Sequence, residues 1–193
     1  MLREAGIETA QVVRAVAVPS ILYSVETTGI SDTALNTARS VVSVAGNANT
    51  GGRQPDLALA ISDGANRTLD PAFEAHAKPI KYWALAHWEE WIPLERLTKM
   101  KNNAIAKLET ATRSVWSKVT GPTTALIATL KRIRWKWASD TVVIDDIGRS
   151  WDFVLDPPSV LAAAARASVR RWRLSRIIKL FPQLSPSNPD VRT

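Results

Sequence analysis

The stretch that decides the fold, Val18-Pro-Ser-Ile-Leu-Tyr-Ser-Val-Glu26, lies within an apolar run at residues 8–28. The run is helical in pattern, but Pro19 lacks a backbone N–H and its ring clashes with the preceding turn, so we expect a kink or break near Val18. A turn at Gly29 follows. Ser31 is a typical N-cap for a second helix, in which apolar residues recur at helical spacing. The N-terminal part of the chain is therefore predicted to be helical.

Prolines and glycines mark the ends of further predicted helices. Proline suits the first turn of a helix, whereas an interior proline ends or kinks it, so Pro79 is expected to divide the helix that starts at Pro71. The helix that starts at Pro93 is expected to bury Leu97, Ala104 and Leu108. The predicted helices span residues 55–62, 71 to the division at Pro79, from there to about 91, 93 to about 116, 123 to about 133, and 158 to about 181.

The pattern changes to short β runs between residues 134 and 154. Thr141-Val-Val-Ile144, the turn Asp145-Asp-Ile-Gly148 and Ser150-Trp-Asp-Phe-Val154 predict a β-hairpin, and residues 135–138 offer a third strand. The predicted fold is therefore mainly α: a multi-helix bundle with a small β-hairpin or three-stranded meander near residues 134–154.

The composition is that of a globular protein with a basic surface. The 193 residues are enough to bury a core in one domain or two small ones. The formal charge of +7 favours a polyanionic partner. The absence of cysteine excludes disulfides and thiolate metal sites and permits an intracellular location. No apolar run approaches the ~18 residues that would span a membrane, so no membrane partner is expected.

The order of Pro19, Leu22, Tyr23 and Glu26 resembles a pattern of reverse transcriptases from non-LTR (LINE-type) retroelements. In these proteins Pro-x-Leu-Leu-Tyr-Gly-x-Glu begins the helical thumb after the catalytic palm, and Ser24 stands here where the pattern usually has Gly. Later segments resemble, in order, the post-palm region of reverse-transcriptase-like proteins numerous in some protist genomes. These segments are Leu69-Asp-Pro-Ala-Phe73, Pro79-Ile-Lys-Tyr-Trp83, Val119-Thr-Gly-Pro122, the Trp135 segment, the Asp145-to-Gly148 turn, and Asp156-Pro-Pro158 with Val169-Arg-Arg-Trp-Arg173.

The resemblance implies RNA-templated DNA synthesis by a parent protein whose palm is expected to be missing from this chain. The chain is then a non-catalytic C-terminal fragment with no catalytic residue and no cofactor, because Mg²⁺ would belong to the missing palm. It also implies a structural thumb role for Pro19, Tyr23 and Glu26, the missing polymerase domain as a partner, and a nuclear location if the chain is expressed. The expected units are a thumb-like helical segment at 1–46, a helical domain at 55–133, the β-hairpin with the C-terminal helix at 134–181, and a disordered tail at 182–193.

Asp145 and Asp146 have two interpretations. Carboxylates at a hairpin hold two Mg²⁺ ions in polymerases of this kind, but Val143 replaces the usual aromatic residue and no further metal-binding aspartate is evident. Aspartate is also simply favoured in turns, which is the interpretation we prefer. His76 and His87 do not have the spacing of a metal pair, and His87 is expected to be partly buried among aromatic residues. No metal site is therefore predicted.

Two basic clusters are candidates for binding nucleic acid. Such clusters can contact phosphates, tryptophan can stack on unpaired bases, and the alternative is a solubilising face. The alternative to the reverse-transcriptase hypothesis is a stand-alone helical protein-interaction module without polymerase ancestry, which would bind a protein partner through a tryptophan-rich surface. The candidate residues are Lys131, Arg132, Arg134, Trp135 and Lys136 in the first cluster; the second cluster is Arg166, Arg170, Arg171 and Arg173, of which the candidates Arg166, Arg170 and Arg173 share one helical face.

Overall fold

The structure, a computed structural model, describes residues 9–45, 54–63 and 69–185. Its first helix runs through α1 (Thr9–Val12), a π-helical turn (Val13–Ala17) and α2 (Val18–Ile21), and α3 (Val25–Thr28) follows a break. A kink or break is predicted near Val18; the helix is not broken there, but its irregularity, the π-helical turn, ends at Ala17, directly before Val18. The wider π turn precedes Pro19 and accommodates it, and α2 ends at Ile21, before a turn in which Ser24 adopts a φ of 56°.

The turn before the next helix is built as expected. Helix α4 (Asp32–Ala45) is capped by Ser31, whose Oγ accepts a hydrogen bond from the Ala34 N–H at 3.2 Å. Gly29 has a φ of 63°, and a Cβ atom added to it would lie 2.7 Å from the Trp116 ring. This position therefore requires glycine on two grounds, its backbone conformation and its lack of space.

Four helices form the middle of the chain: α5 (Pro55–Asp63), α6 (Ala72–Trp88), α7 (Leu94–Glu109) and α8 (Pro122–Arg132). The prediction that Pro79 divides α6 is wrong, because residues on both sides of it are buried in the core and this packing outweighs the lost hydrogen bond. Helix α7 ends at Glu109, earlier than predicted. There Thr110 donates a side-chain hydrogen bond to the Lys107 carbonyl, and a separate 3₁₀ turn follows at Val115–Lys118.

The β elements form one antiparallel meander in the order β1 (Lys136–Trp137), β2 (Val142–Ile144) and β3 (Ser150–Asp152). The register places Val143 opposite both Trp137 and Trp151. Helix α9 (Pro158–Leu180) and a 3₁₀ turn (Pro182–Leu184) complete the described chain. The mainly α fold with a three-stranded meander is confirmed.

The core is centred on α6, which packs against α8 and α9. Its largest cluster extends from Val13 to Val169 and includes Phe73, Ile80 and Phe153. The predicted burial of three α7 residues is also confirmed: Leu97 joins this cluster, and Ala104 and Leu108 join a second, smaller one. The division into units at 46 and 134 stays a prediction. Residues 1–8 of the predicted first unit and 186–193 of the predicted tail lie outside the described residues.

None of the helices in the described segments is long and apolar enough to cross a membrane.

Candidate nucleic-acid interface

The predicted arginine stripe on α9 is not an exposed face. Arg173 is buried, and its Nη1 donates to the Asp63 carboxylate and lies 3.5 Å from Asp70. Arg166 is half-buried and forms a 2.7 Å ion pair with Glu74. Only Arg170 is exposed, with its guanidinium 5.9 Å from the Phe73 ring. The helical spacing was interpreted correctly, but this face of α9 lies against acidic residues around α5 and α6 rather than against solvent.

The acidic residues belong to a buried ion-pair network that the sequence analysis missed. Arg39 donates to Asp70 at 2.9 and 2.8 Å and to Asp56 at 2.6 Å, and Arg176 donates to Asp56 at 2.9 Å. Burial alone would raise the pKa of Asp56, but hydrogen bonds from Gln54 and from the two guanidinium groups lower it below its ordinary value. These ion pairs connect α4, α5 and α9 with the start of α6.

Residues of the first predicted cluster fall into two groups. Lys131, Arg134 and Lys136 are exposed, as binding would require. Trp135 is only 3% exposed, and its Nε1 donates to Ser168 at 2.9 Å, so the prediction that it stacks on bases is wrong. Arg132 is half-buried: it forms a 2.8 Å ion pair with Asp32, and its guanidinium lies 4.0 Å from the Trp116 ring.

The burial of Trp135 follows from how α8 ends. Arg134 has a φ of 64°, the left-handed conformation that usually takes glycine after a helix. The Trp135 N–H then donates back to the Leu130 carbonyl at 2.9 Å, which closes the helix. This turn directs the Trp135 side chain into the core and leaves the preceding residue, Arg134, exposed.

The exposed Arg134 and the α9 residue Arg171 line one groove of about 200 Å³. The groove therefore joins the two predicted clusters, although through Arg171 rather than through Arg166, Arg170 or Arg173. Three arginines and one aspartate line it, which gives these side chains a net charge of +2. The lining residues are Arg132, Ile133, Arg134, Asp146, Ser168, Arg171, Trp172 and Ser175.

The hairpin carboxylates support this groove. Asp145 accepts hydrogen bonds within its own turn, from the N–H groups of Ile147 at 3.0 Å and Arg149 at 2.9 Å. Asp146 accepts two from Arg171, at 2.8 and 2.6 Å. The hydrogen bond from Arg171 is the main reason that the pKa of Asp146 is lowered. Both aspartates thus have turn and ion-pair roles, and among the described residues no three acidic, histidine or cysteine side chains are grouped to hold a metal ion.

The predicted thumb residues lie elsewhere, since none of them lines the groove. Pro19 and Tyr23 are exposed, Tyr23 to 83%. Glu26 is half-buried, and its Oε2 is buried without a hydrogen-bond partner among the described residues. Ser24, between them, has a positive φ of 56°.

Comparisons with protein-family models, with curated proteins and with solved structures find no match for this chain. Its function has to be inferred from its own residues and their geometry.

Proposed function

We propose that this chain binds the phosphate backbone of nucleic acid through the groove between the end of α8 and α9. The observation that supports the proposal is the convergence of Arg134 and Arg171 on one groove, with Lys131 and Lys136 exposed close by in the chain. Guanidinium groups present planar sets of N–H donors that match phosphate oxygens. Such contacts would be largely independent of sequence and sensitive to salt.

Arg171 is held in position before any ligand arrives. Its Nε and Nη2 donate to Asp146, and Nη2 also donates to Ser168 at 3.0 Å. Its Nη1 has no hydrogen-bond partner among the described residues, so this nitrogen is available to a phosphate oxygen. A fixed guanidinium loses less side-chain entropy on binding than a mobile one. Arg134 provides a second guanidinium among the residues that line the groove.

We further propose that the chain is the non-catalytic C-terminal region of a reverse-transcriptase-like protein. Ser24 supports this origin, because it occupies the position where the thumb pattern has Gly, and its φ of 56° is a conformation that glycine favours. The ancestry is tested by the sequence that is encoded upstream of Met1. An aromatic-x-Asp-Asp hairpin in that sequence supports the ancestry, and an unrelated sequence contradicts it. Primer extension with Mg²⁺ and dNTPs is expected to give no product.

Binding is tested by fluorescence anisotropy with a labelled RNA–DNA hybrid over a series of salt concentrations. The variant Lys131→Gln/Arg134→Gln removes one exposed charge that lines the groove and one exposed charge in the neighbouring last turn of α8. If both contact phosphates, affinity falls and the slope of log K against log salt decreases by roughly two. The matched control is Lys99→Gln/Lys179→Gln, which removes two exposed charges outside the groove. The proposal is wrong if both double variants behave alike, or if the wild type does not bind at low salt.

The second candidate function is a helical protein-interaction module. It is favoured by large apolar side chains that are exposed around the α6–α7 connection and after β3. Failure of the wild type to bind the hybrid at low salt would favour this candidate. These side chains are Trp88, Trp91, Leu94, Val154 and Leu155.

A further inference from the structure

A second cavity lies between the end of α6 and the start of α7, separate from the basic groove. It has a volume of about 490 Å³, within the range of small-molecule sites. Its walls are mostly apolar and come from the connection, from α7 and from the segment after β3. The apolar wall residues are Ile92, Pro93, Leu94, Leu97 and Val154.

One of its two polar lining residues is His87. Its side chain is 9% exposed, and its Nε2 is buried without a hydrogen-bond partner among the described residues. The ring is fixed by contacts with Trp83, at 5.4 Å, and Phe153, at 5.9 Å. Burial is the main reason that the pKa of His87 lies below 6.5. The imidazole is therefore neutral at pH 7 and has a ring nitrogen that can accept a hydrogen bond.

The other polar lining residue, Glu90, occupies a position that usually takes glycine. It follows α6 with a φ of 50°, and the Trp91 N–H donates back to the Ala86 carbonyl at 3.1 Å to close the helix. Its carboxylate is exposed and forms no ion pair among the described residues. The C-terminal end of the α6 dipole adds partial negative charge at the same place. The polar features of the cavity thus select for a positive, hydrogen-bond-donating group.

Aromatic rings flank the same connection. Trp91 lies in the chain between Glu90 and Ile92, both of which line the cavity. Its ring meets Tyr82 edge-on at 5.4 Å, its Nε1 donates to Glu89 at 2.8 Å, and it remains 47% exposed. A fixed and exposed indole attracts cations through its π face. The positive charge near His87, Lys101, is already neutralised by a 2.6 Å ion pair with Asp140.

We propose that this cavity binds an alkylammonium group, in which the aliphatic chain contacts the apolar walls and the ammonium lies between His87 and Glu90. The proposal specifies the chemical class of the ligand, an aliphatic chain that ends in an ammonium group. A free aliphatic amine and a lysine side chain of a peptide both present this chemistry. It does not depend on nucleic-acid binding, which involves the opposite charge and other residues.

The test is an NMR titration that follows the tryptophan indole N–H signals. The probes are n-butylammonium, the neutral 1-butanol, which has the same four-carbon chain, and Nα-acetyl-lysine-N-methylamide. We expect saturable shifts with butylammonium and weaker binding of the alcohol. Glu90→Gly keeps the backbone conformation and removes the carboxylate, so butylammonium affinity should fall about threefold to fivefold. The control Glu109→Gln removes an exposed charge at the end of α7, away from the cavity, and should leave the affinity unchanged.

Two results would overturn the proposal: equal binding of butylammonium and 1-butanol, or equal butylammonium affinity in Glu90→Gly and the wild type. Two positive results separate the sources of the ligand. Tighter binding of the lysine derivative than of butylammonium identifies a lysine side chain, and tighter binding of butylammonium identifies a free amine. His87→Phe removes the imidazole acceptor and should also weaken butylammonium binding, but Glu90→Gly decides the matter because it does not disturb the core.

Discussion

Acid is expected to destabilise this protein through one buried side chain, His76. It is 1% exposed and lies on α6. Its Nδ1–H donates to the Ala72 carbonyl at 2.5 Å, and its Nε2 is buried without a partner among the described residues. A second proton would place a positive charge in the core, close to the Arg132 guanidinium. Burial first, and Arg132 next, lower the pKa of His76 from 6.5 to about 4.

The sign and the size of the effect follow from this pKa. Between pH 6.5 and about 4 the unfolded chain binds a proton that the folded chain does not bind. The contribution of neutral His76 to stability is therefore complete above pH 6.5 and is lost as the pH falls toward 4. The difference between the two pKa values corresponds to about 3 kcal/mol of the free energy of unfolding.

The assay is urea unfolding followed by circular dichroism at several pH values between about 7.5 and 4.5. The control is His76→Leu, which cannot titrate but fills a similar volume. Only the difference in pH dependence between wild type and variant is assigned to His76, because the pKa of His87 is also lowered and contributes with the same sign. Identical pH dependence in the two proteins would refute the reasoning. NMR titration of the His76 ring protons then measures its pKa directly.

Three further predictions concern stability and are measured by denaturant unfolding. Leu108→Ala should cost roughly 2–5 kcal/mol, since Leu108 is 4% exposed in the second core cluster, and a change near zero would contradict its burial. Asp70→Asn should cost about 3–5 kcal/mol, because it leaves Arg39 and Arg173 buried with fewer compensating charges; an unchanged stability would show that the network is not maintained in solution. Gly29→Ala should cost about 1–3 kcal/mol, because it combines a left-handed conformation with a close approach to Trp116, and a more stable variant would disprove this geometry.

Local signals predicted much of the fold. Ser31 was recognised as an N-cap, and proline at the start of α5, α8 and α9 marked helix beginnings, because both preferences depend on only a few neighbouring residues. The meander was recognised in the same way, from alternating residues and a turn with glycine. Pro79 failed as a boundary because the decision there depends on packing against α8 and α9, which are distant in sequence.

The candidate site could be predicted only in part, for the same reason. The exposure of Lys131 and Arg134 agrees with a locally basic segment. The pairing of Arg173 with Asp63 joins residues 110 positions apart, and that of Arg39 with Asp70 joins residues 31 apart. No sequence pattern distinguishes an arginine that forms a buried ion pair with a distant aspartate from an arginine that is free to bind a phosphate. Asp70 enters the sequence analysis only in the Leu69-to-Phe73 segment, and nothing in that segment indicates an ion-pair partner.

Two of the three described non-glycine residues with a left-handed backbone line the cavities for which we propose function. Ser24, Glu90 and Arg134 all have positive φ values, although none of them is glycine. Each left-handed residue of this kind costs about 1–2 kcal/mol relative to the ordinary conformation. Glu90 and Arg134 close α6 and α8 with similar backbone hydrogen bonds, and each exposes a charge at the edge of a cavity. Glycine would suit the backbone better at both positions, and this local strain agrees with the functions that we propose for the two charged side chains.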